Sequence, residues 1–76
     1  IVSGPGDDII FGGAGNDLIY GSDDRDVIIG EAGNDVINGG AGNDSLLGDE
    51  GDDIIYGEAG DDLIVDTEGT NFLYGD

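Results

Sequence analysis

The sequence predicts an all-β chain, a solenoid of two short parallel sheets that face each other, with 18 residues per coil and about four coils. Three observations carry this. A unit of nine residues runs in phase from Ser3 to Tyr74 without insertion or deletion. Every unit places one branched aliphatic at the same place, its eighth. Glycine supplies 17 of the 76 residues and falls in every unit, which excludes a helix.

The units start at Ser3, Gly12, Gly21, Gly30, Gly39, Gly48, Gly57 and Asp66. In each, six small or polar residues form a turn and the last three form a strand rich in Ile, Val and Leu. Strand, turn, strand, turn makes one coil from two units, and successive strands of a sheet then stack at about 4.8 Å. The eighth position reads Ile10, Ile19, Ile28, Ile37, Leu46, Ile55, Ile64 and Leu73. It is the inward column and the only core, one side chain thick. The fourth position is Gly6, Gly15, Gly33, Gly42, Gly51, Gly60 and Gly69, with Asp24 as the exception. Glycine there implies a left-handed backbone, which Asp tolerates better than most residues. The second position mixes Gly4, Gly13 and Gly40 with Ser22, Glu31, Asp49, Glu58 and Thr67, and so shows no need for glycine.

Composition sets what must hold such a chain together. The 76 residues are enough for one domain but not for a thick core. A net charge of −18 with 37% apolar residues is the composition of a chain that stays disordered alone, so folding needs something that neutralises the acids. The single cation, Arg25, against 19 acids excludes nucleic acid and an anionic membrane as direct partners. Without Cys there is no disulfide framework, and without His or Cys zinc and transition-metal sites are disfavoured. What remains is carboxylate and carbonyl oxygen, the donor set of Ca²⁺. No apolar run is long enough to span a membrane as a helix. The chain opens on Ile1-Val2 and stops at Gly75-Asp76, which repeats the opening Gly48-Asp49 of an earlier unit. We expect residues 1–76 to be a single module cut from a larger protein, with 66–76 a degenerate repeat serving as a cap.

The sixth position carries the chemistry. It reads Asp8, Asp17, Asp26, Asp35, Asp44, Asp53, Asp62 and, last, Asn71. An Asx turn, in which the side chain caps its own backbone, would let Asp and Asn exchange. The fifth position does exchange them, with Asn16, Asn34 and Asn43 beside Asp7, Asp52 and Asp61. The sixth does not exchange them until Asn71, so charge is what it keeps. Turns 18 residues apart lie over one another, which pairs Asp8 with Asp26, Asp26 with Asp44 and Asp44 with Asp62 on one edge. The other edge pairs Asp17 with Asp35, Asp35 with Asp53 and Asp53 with Asn71. Like charges about 5 Å apart repel by about 0.8 kcal/mol in water and about 3 kcal/mol at an effective dielectric of 20. A Ca²⁺ between each pair reverses the sign, with turn carbonyls completing the oxygen shell. Six ions would bring the charge from −18 to −18 + 12 = −6; the pair ending in Asn71 is expected to be weak, which leaves about five good sites.

The unit resembles the glycine- and aspartate-rich nonapeptide of RTX proteins, a Ca²⁺-binding β-helix repeat. Gly12-Gly13-Ala14-Gly15-Asn16-Asp17-Leu18-Ile19-Tyr20 and the stretch Gly39 to Leu47 fit every fixed position, and the resemblance covers 72 of the 76 residues. It implies a parallel β-roll in which each sixth-position Asp bridges two stacked turns. It also implies that carbonyls of the turn complete the shell, so that Gly12, Ala14, Gly30 and Gly33 join Asp17 and Asp35. Carried along the chain, the same roles fall on first-position Gly21, Gly39, Gly48 and Gly57. They fall likewise on third-position Asp23, Ala32, Ala41 and Glu50 and on fourth-position Gly42, Gly51 and Gly60. The resemblance further implies a bacterial protein secreted by a one-step exporter, unfolded where Ca²⁺ is scarce and folded outside, as part of a toxin or exoenzyme. Two units depart from the pattern. Unit three, Gly21 to Asp26, lacks the fourth-position glycine and carries Arg25, so its sites are expected to be distorted. Unit eight has lost its first glycine to Asp66 and its Asp to Asn71.

The seventh and ninth positions should face solvent, yet most are apolar. One sheet shows Ile9, Phe11, Val27, Ile29, Ser45, Leu47, Leu63 and Val65, and the other Leu18, Tyr20, Val36, Asn38, Ile54, Tyr56, Phe72 and Tyr74. Such faces suit an adjacent domain of the parent protein, another copy, or a polysaccharide stacked on the tyrosines. Nothing marks one unit as a catalytic centre. Ser3, Ser22 and Ser45 have no His partner, and neither a dinucleotide fingerprint nor an EF-hand loop is present. The chain therefore reads as a calcium-binding structural module and not an enzyme: it folds on binding Ca²⁺ and stabilises or helps export an attached domain. The rival reading is a recognition module, an adhesin or the polysaccharide-binding segment of a secreted enzyme.

Overall fold

A computed structural model describes residues 1–66, 69 and 72–75, with backbone alone for 72–74. Its strands are three residues each: β1 (Ile9–Phe11), β2 (Leu18–Tyr20), β3 (Val27–Ile29), β4 (Val36–Asn38), β5 (Ser45–Leu47), β6 (Ile54–Tyr56), β7 (Leu63–Val65) and β8 (Phe72–Tyr74). They form two four-stranded parallel sheets, β1-β3-β5-β7 and β2-β4-β6-β8, so consecutive strands always change sheet. The register keeps the repeat in phase: Ile10 pairs with Ile28, Ile28 with Leu46 and Leu46 with Ile64, each a step of 18 residues. This is the parallel β-solenoid that the nine-residue period predicts.

The core is the eighth-position ladder. Ile19, Ile28, Ile37, Leu46 and Ile55 are fully buried, Ile10 is nearly so, and Ile64 packs against them. Strand alternation sends the flanking residues outward, and Ile9, Phe11, Leu18 and Leu63 are among the most exposed apolar side chains. The ladder extends one residue beyond each strand at both ends. The first-position N–H of Gly12 donates to the Ile29 carbonyl at 2.8 Å, and the Val27 N–H donates to the Asp8 carbonyl at 2.8 Å. Below β2, the Ile1 ammonium donates to the Leu18 carbonyl at 2.7 Å and Val2 bridges Tyr20 in parallel, so the first residues run beneath that strand.

The turns bend through the left-handed region twice. Fourth-position glycines sit at φ of 100–110° in Gly6, Gly15, Gly33, Gly42, Gly51 and Gly60, as their column implies. There is a second reason for glycine in this column. A Cβ on Gly33 or Gly51 would collide with the carbonyl of Gly15 or Gly33 in the coil below. Asp24 takes the place at φ 77°, and its Oδ2 accepts the Gly6 N–H at 2.9 Å. The second position departs from the sequence reading. It is left-handed throughout the described turns, although Ser22, Glu31, Asp49 and Glu58 stand there at φ 66–77°. The stacked coils impose the bend on residues that prefer another conformation.

Candidate metal centre

The sixth-position aspartates Asp26, Asp35, Asp44, Asp53 and Asp62 each bridge two coils through one oxygen. The backbone N–H of Asp17 donates to Oδ1 of Asp35 at 2.8 Å, that of Asp26 to Asp44 at 2.8 Å, and that of Asp35 to Asp53 at 2.8 Å. Asp8 donates to Asp26 at 3.1 Å and Asp44 to Asp62 at 2.9 Å. The side chains therefore do not cap their own turns, as an Asx turn would. The pairs at 18-residue spacing are brought together on both edges, except that Asn71, the expected partner of Asp53, lies outside the described residues.

The second oxygen is the informative one. Oδ2 of Asp8, Asp17, Asp26, Asp35, Asp44 and Asp62 is buried and has no hydrogen-bond partner among the described residues. Asp26, Asp35 and Asp44 are at most 2% exposed as whole residues. These oxygens converge on the first-position glycines. From the point where a Cβ on Gly12 would stand, Asp17 Oδ2 is 2.9 Å away and the Gly30 carbonyl oxygen 2.8 Å. On Gly21 the same pair is Asp26 Oδ2 and the Gly39 carbonyl, both at 2.8 Å. On Gly30 it is Asp35 Oδ2 at 2.6 Å with the Gly48 carbonyl at 3.1 Å, and on Gly39 it is Asp44 Oδ2 at 2.7 Å with the Gly57 carbonyl at 3.2 Å. On Gly57 it is again an aspartate, Asp62 Oδ2 at 2.6 Å.

None of these first-position glycines has a positive φ, so glycine is kept there for room and not for the bend. The room is lined by a carboxylate oxygen of one turn and a carbonyl oxygen of the next coil. Two acceptors facing each other with no donor between them is a costly arrangement in a buried place. An amide in place of the carboxylate would supply the missing donor, and the fifth position shows that amides fit these turns. There Asn16 Oδ1 accepts the Asn34 N–H at 2.8 Å and Asn43 Oδ1 accepts the Asp61 N–H at 2.9 Å. Where the fifth position is Asn or Asp it serves the next coil as an acceptor, which either residue can do. The sixth position keeps a charge, and the space beside it suits a cation bound by oxygen.

Electrostatics agree. Burial pushes the carboxyl groups of Asp26 and Asp35 above their ordinary value against the lowering effect of the backbone N–H, and neighbouring aspartates push the same way as burial. Asp44 is raised to about 6, first by burial and then by the charges of Asp62 and Asp26. Among the described residues no three carboxylates or other side-chain ligands converge, so a metal here must take most of its oxygens from backbone. The residues present fit Ca²⁺, which accepts six to eight oxygens in irregular geometry, better than Mg²⁺, which demands a small regular octahedron.

The remaining expected ligands lie elsewhere in the turns. The third-position residues Ala14, Asp23, Ala32, Ala41 and Glu50 lie on the exposed rim of the turns. Fourth-position carbonyls of Gly33 and Gly42 point along the stack at the bare α-carbons of Gly51 and Gly60. In unit three Asp26 Oδ2 and the Gly39 carbonyl meet at Gly21 as the corresponding atoms do in its neighbours. Arg25 stands outside this space, exposed, with its N–H on Asp7 Oδ1 at 3.1 Å. Two residues that sequence reasoning passed over act at the ends of the columns. Ser3 occupies a first position, and its hydroxyl donates to the Gly21 carbonyl, so the Asp8 turn has a built-in donor where its neighbours have none. Asp66 also occupies a first position and reaches the bare face of Gly48. Both could have been found as the only two non-glycines of the first column.

A family model for the RTX calcium-binding nonapeptide repeat matches the chain in four copies, over residues 2–37, 20–55, 29–64 and 56–76. No curated protein and no solved structure matches it.

Proposed function

The chain belongs to the RTX calcium-binding nonapeptide repeat family, and we propose that this calcium-binding module works as a Ca²⁺-triggered folding switch. The observation that carries the proposal is the row of buried Oδ2 atoms facing carbonyls across bare glycines. Without a cation each such oxygen opposes folding; with one, the same oxygens join adjacent coils. Binding free energy is then folding free energy, as in other domains whose metal site does not exist in the unfolded chain. About five ions would be held. Asp17, Asp26, Asp35, Asp44, Asp53 and Asp62 would serve as side-chain ligands, with the first-position carbonyls of Gly30, Gly39, Gly48 and Gly57 beside them.

Proteins of this family are typically secreted and bacterial, and the switch suits that setting. The chain would stay extended where Ca²⁺ is scarce, pass an exporter unfolded, and fold where Ca²⁺ is abundant, steadying an attached domain. Far-UV circular dichroism of the EDTA-stripped chain titrated with Ca²⁺ tests this, with Mg²⁺ as the control. A steep, Ca²⁺-selective gain of β signal is expected. A chain that shows full β signal before any ion is added would remove the switch.

A second reading rests on the outer faces. Ile9, Phe11 and Leu63, all on the β1-β3-β5-β7 sheet, are 58–70% exposed, more than solvation alone rewards, so that sheet face would dock a neighbouring domain or a polysaccharide. A Ca²⁺-dependent pull-down on polysaccharides tests the recognition form of it; retention no greater than on bare resin would end that form.

A further inference from the structure

The first position of unit eight is an aspartate where six of the other units have glycine. By sequence this is a lost glycine in a decaying repeat. In the fold it falls beside the bare face of Gly48, in the place where lower coils on the same edge present a carbonyl. The two nearest atoms to a Cβ on Gly48 are Oδ2 of Asp66 and Oδ2 of Asp53, both closer than any oxygen at the other first-position glycines. Both Asp66 carboxylate oxygens are buried, and Asp53 is fully buried. One step down the same edge, Asp35, 1% exposed, aims an Oδ2 without a hydrogen-bond partner at the Gly48 carbonyl across Gly30. The column that Asp66 joins is therefore one already lined for a cation.

We propose that Asp66 is a calcium ligand that replaces the missing first-position carbonyl contact and makes the Asp53 site a two-carboxylate site. This rests on the calcium reading above and reverses one expectation drawn from sequence, that the Asp53 site is weak for want of an aspartate at position 71. Two carboxylates crowded into one small buried space repel each other without a cation. A divalent ion turns that repulsion into attraction, and a second negative ligand raises affinity for hard divalent ions. Asp66 would thus end the ion column with its most strongly charged site.

The test is Ca²⁺ stoichiometry and affinity by isothermal titration calorimetry, with circular dichroism at saturating Ca²⁺ to show that each variant folds. Asp66→Gly restores the first-position residue of the other units, and Asp66→Asn keeps shape while removing charge. If Asp66 is a ligand, both variants bind one ion fewer than the parent chain, or bind one at least about tenfold more weakly. If Asp66 is only a lost glycine, Asp66→Gly binds as many ions with equal or greater affinity, and the inference fails while the calcium reading stands. A parent chain that takes up no Ca²⁺ overturns both. Should either variant fail to fold, the folded parent chain at saturating Ca²⁺ decides: a trace of Mn²⁺ exchanged into its sites broadens the ¹³C carboxyl signal of Asp66 as strongly as that of Asp35 if Asp66 is a ligand, and clearly less if it is not.

Discussion

The backbone N–H of Asp17 donates to Oδ1 of Asp35 at 2.8 Å, while Oδ2 of the same Asp35 carboxylate is buried without a partner. One oxygen does what an amide could do; on the calcium reading the other is kept as a charge for the ion. Asp35→Asn separates the two. In EDTA the variant should fold with less osmolyte than the parent, because it removes a buried charge and offers a donor to the Gly48 carbonyl, a gain of about 1–3 kcal/mol. In Ca²⁺ the sign reverses, and the midpoint for folding should rise about tenfold. Equal shifts under both conditions would mean that Asp35 serves only the turn.

The neighbouring column should behave oppositely. Asn16→Asp keeps the oxygen that accepts the Asn34 N–H and should be nearly neutral in both stability and ion binding. Asn16→Ala removes it and should cost about 0.5–1 kcal/mol, seen in urea midpoints at saturating Ca²⁺, with no ion lost.

Gly30 and Gly13 predict different failures. Gly30 has ordinary backbone, so by propensity alone Ala would be harmless or slightly stabilising. Its Cβ would stand 2.6 Å from Asp35 Oδ2, so Gly30→Ala should lose one Ca²⁺ in calorimetry. Gly13 is at φ 87° with open space around it, so Gly13→Ala should cost about 1 kcal/mol of stability and leave the ion count intact.

Much of this was legible in the sequence, and the limits have physical causes. The period of nine and the unbroken aliphatic column from Ile10 to Ile64 fix coil length, sheet pairing and core, because a side-chain period of two in each strand leaves a single inward place. The Asp17–Asp35 stacking followed from the coil length. The left-handed second position was not legible, because Glu31 and Glu58 are poor residues for it and only the coil geometry holds them there. The reason for glycine at Gly12 or Gly30 was not legible either, since a residue kept for room looks like one kept for a bend. Asp66 was read as decay because its partner, the bare face of Gly48, is distant in sequence.

Acidity should trade places with calcium. Asp44 titrates at about 6 in the folded ion-free chain, against 3.8 for the ordinary carboxyl. Between those values the folded state holds more protons than the unfolded state, so ion-free stability is lowest above about pH 6 and rises as pH falls toward 4. The same protons compete with Ca²⁺, so the Ca²⁺ midpoint should climb as pH drops below 6. Titrations at several pH values across this window check both signs; a midpoint independent of pH would show that the buried carboxylates do not bind the ion.

The central claim is that the chain is compact only when its carboxylate columns are neutralised. Small-angle X-ray scattering in EDTA and in Ca²⁺ measures this directly. The compact fold has a Cα radius of gyration of 10.6 Å. An unfolded chain of this length would measure about 27 Å. The account predicts a value near the larger figure in EDTA that collapses toward the smaller one on adding Ca²⁺. A chain already compact in EDTA would contradict it.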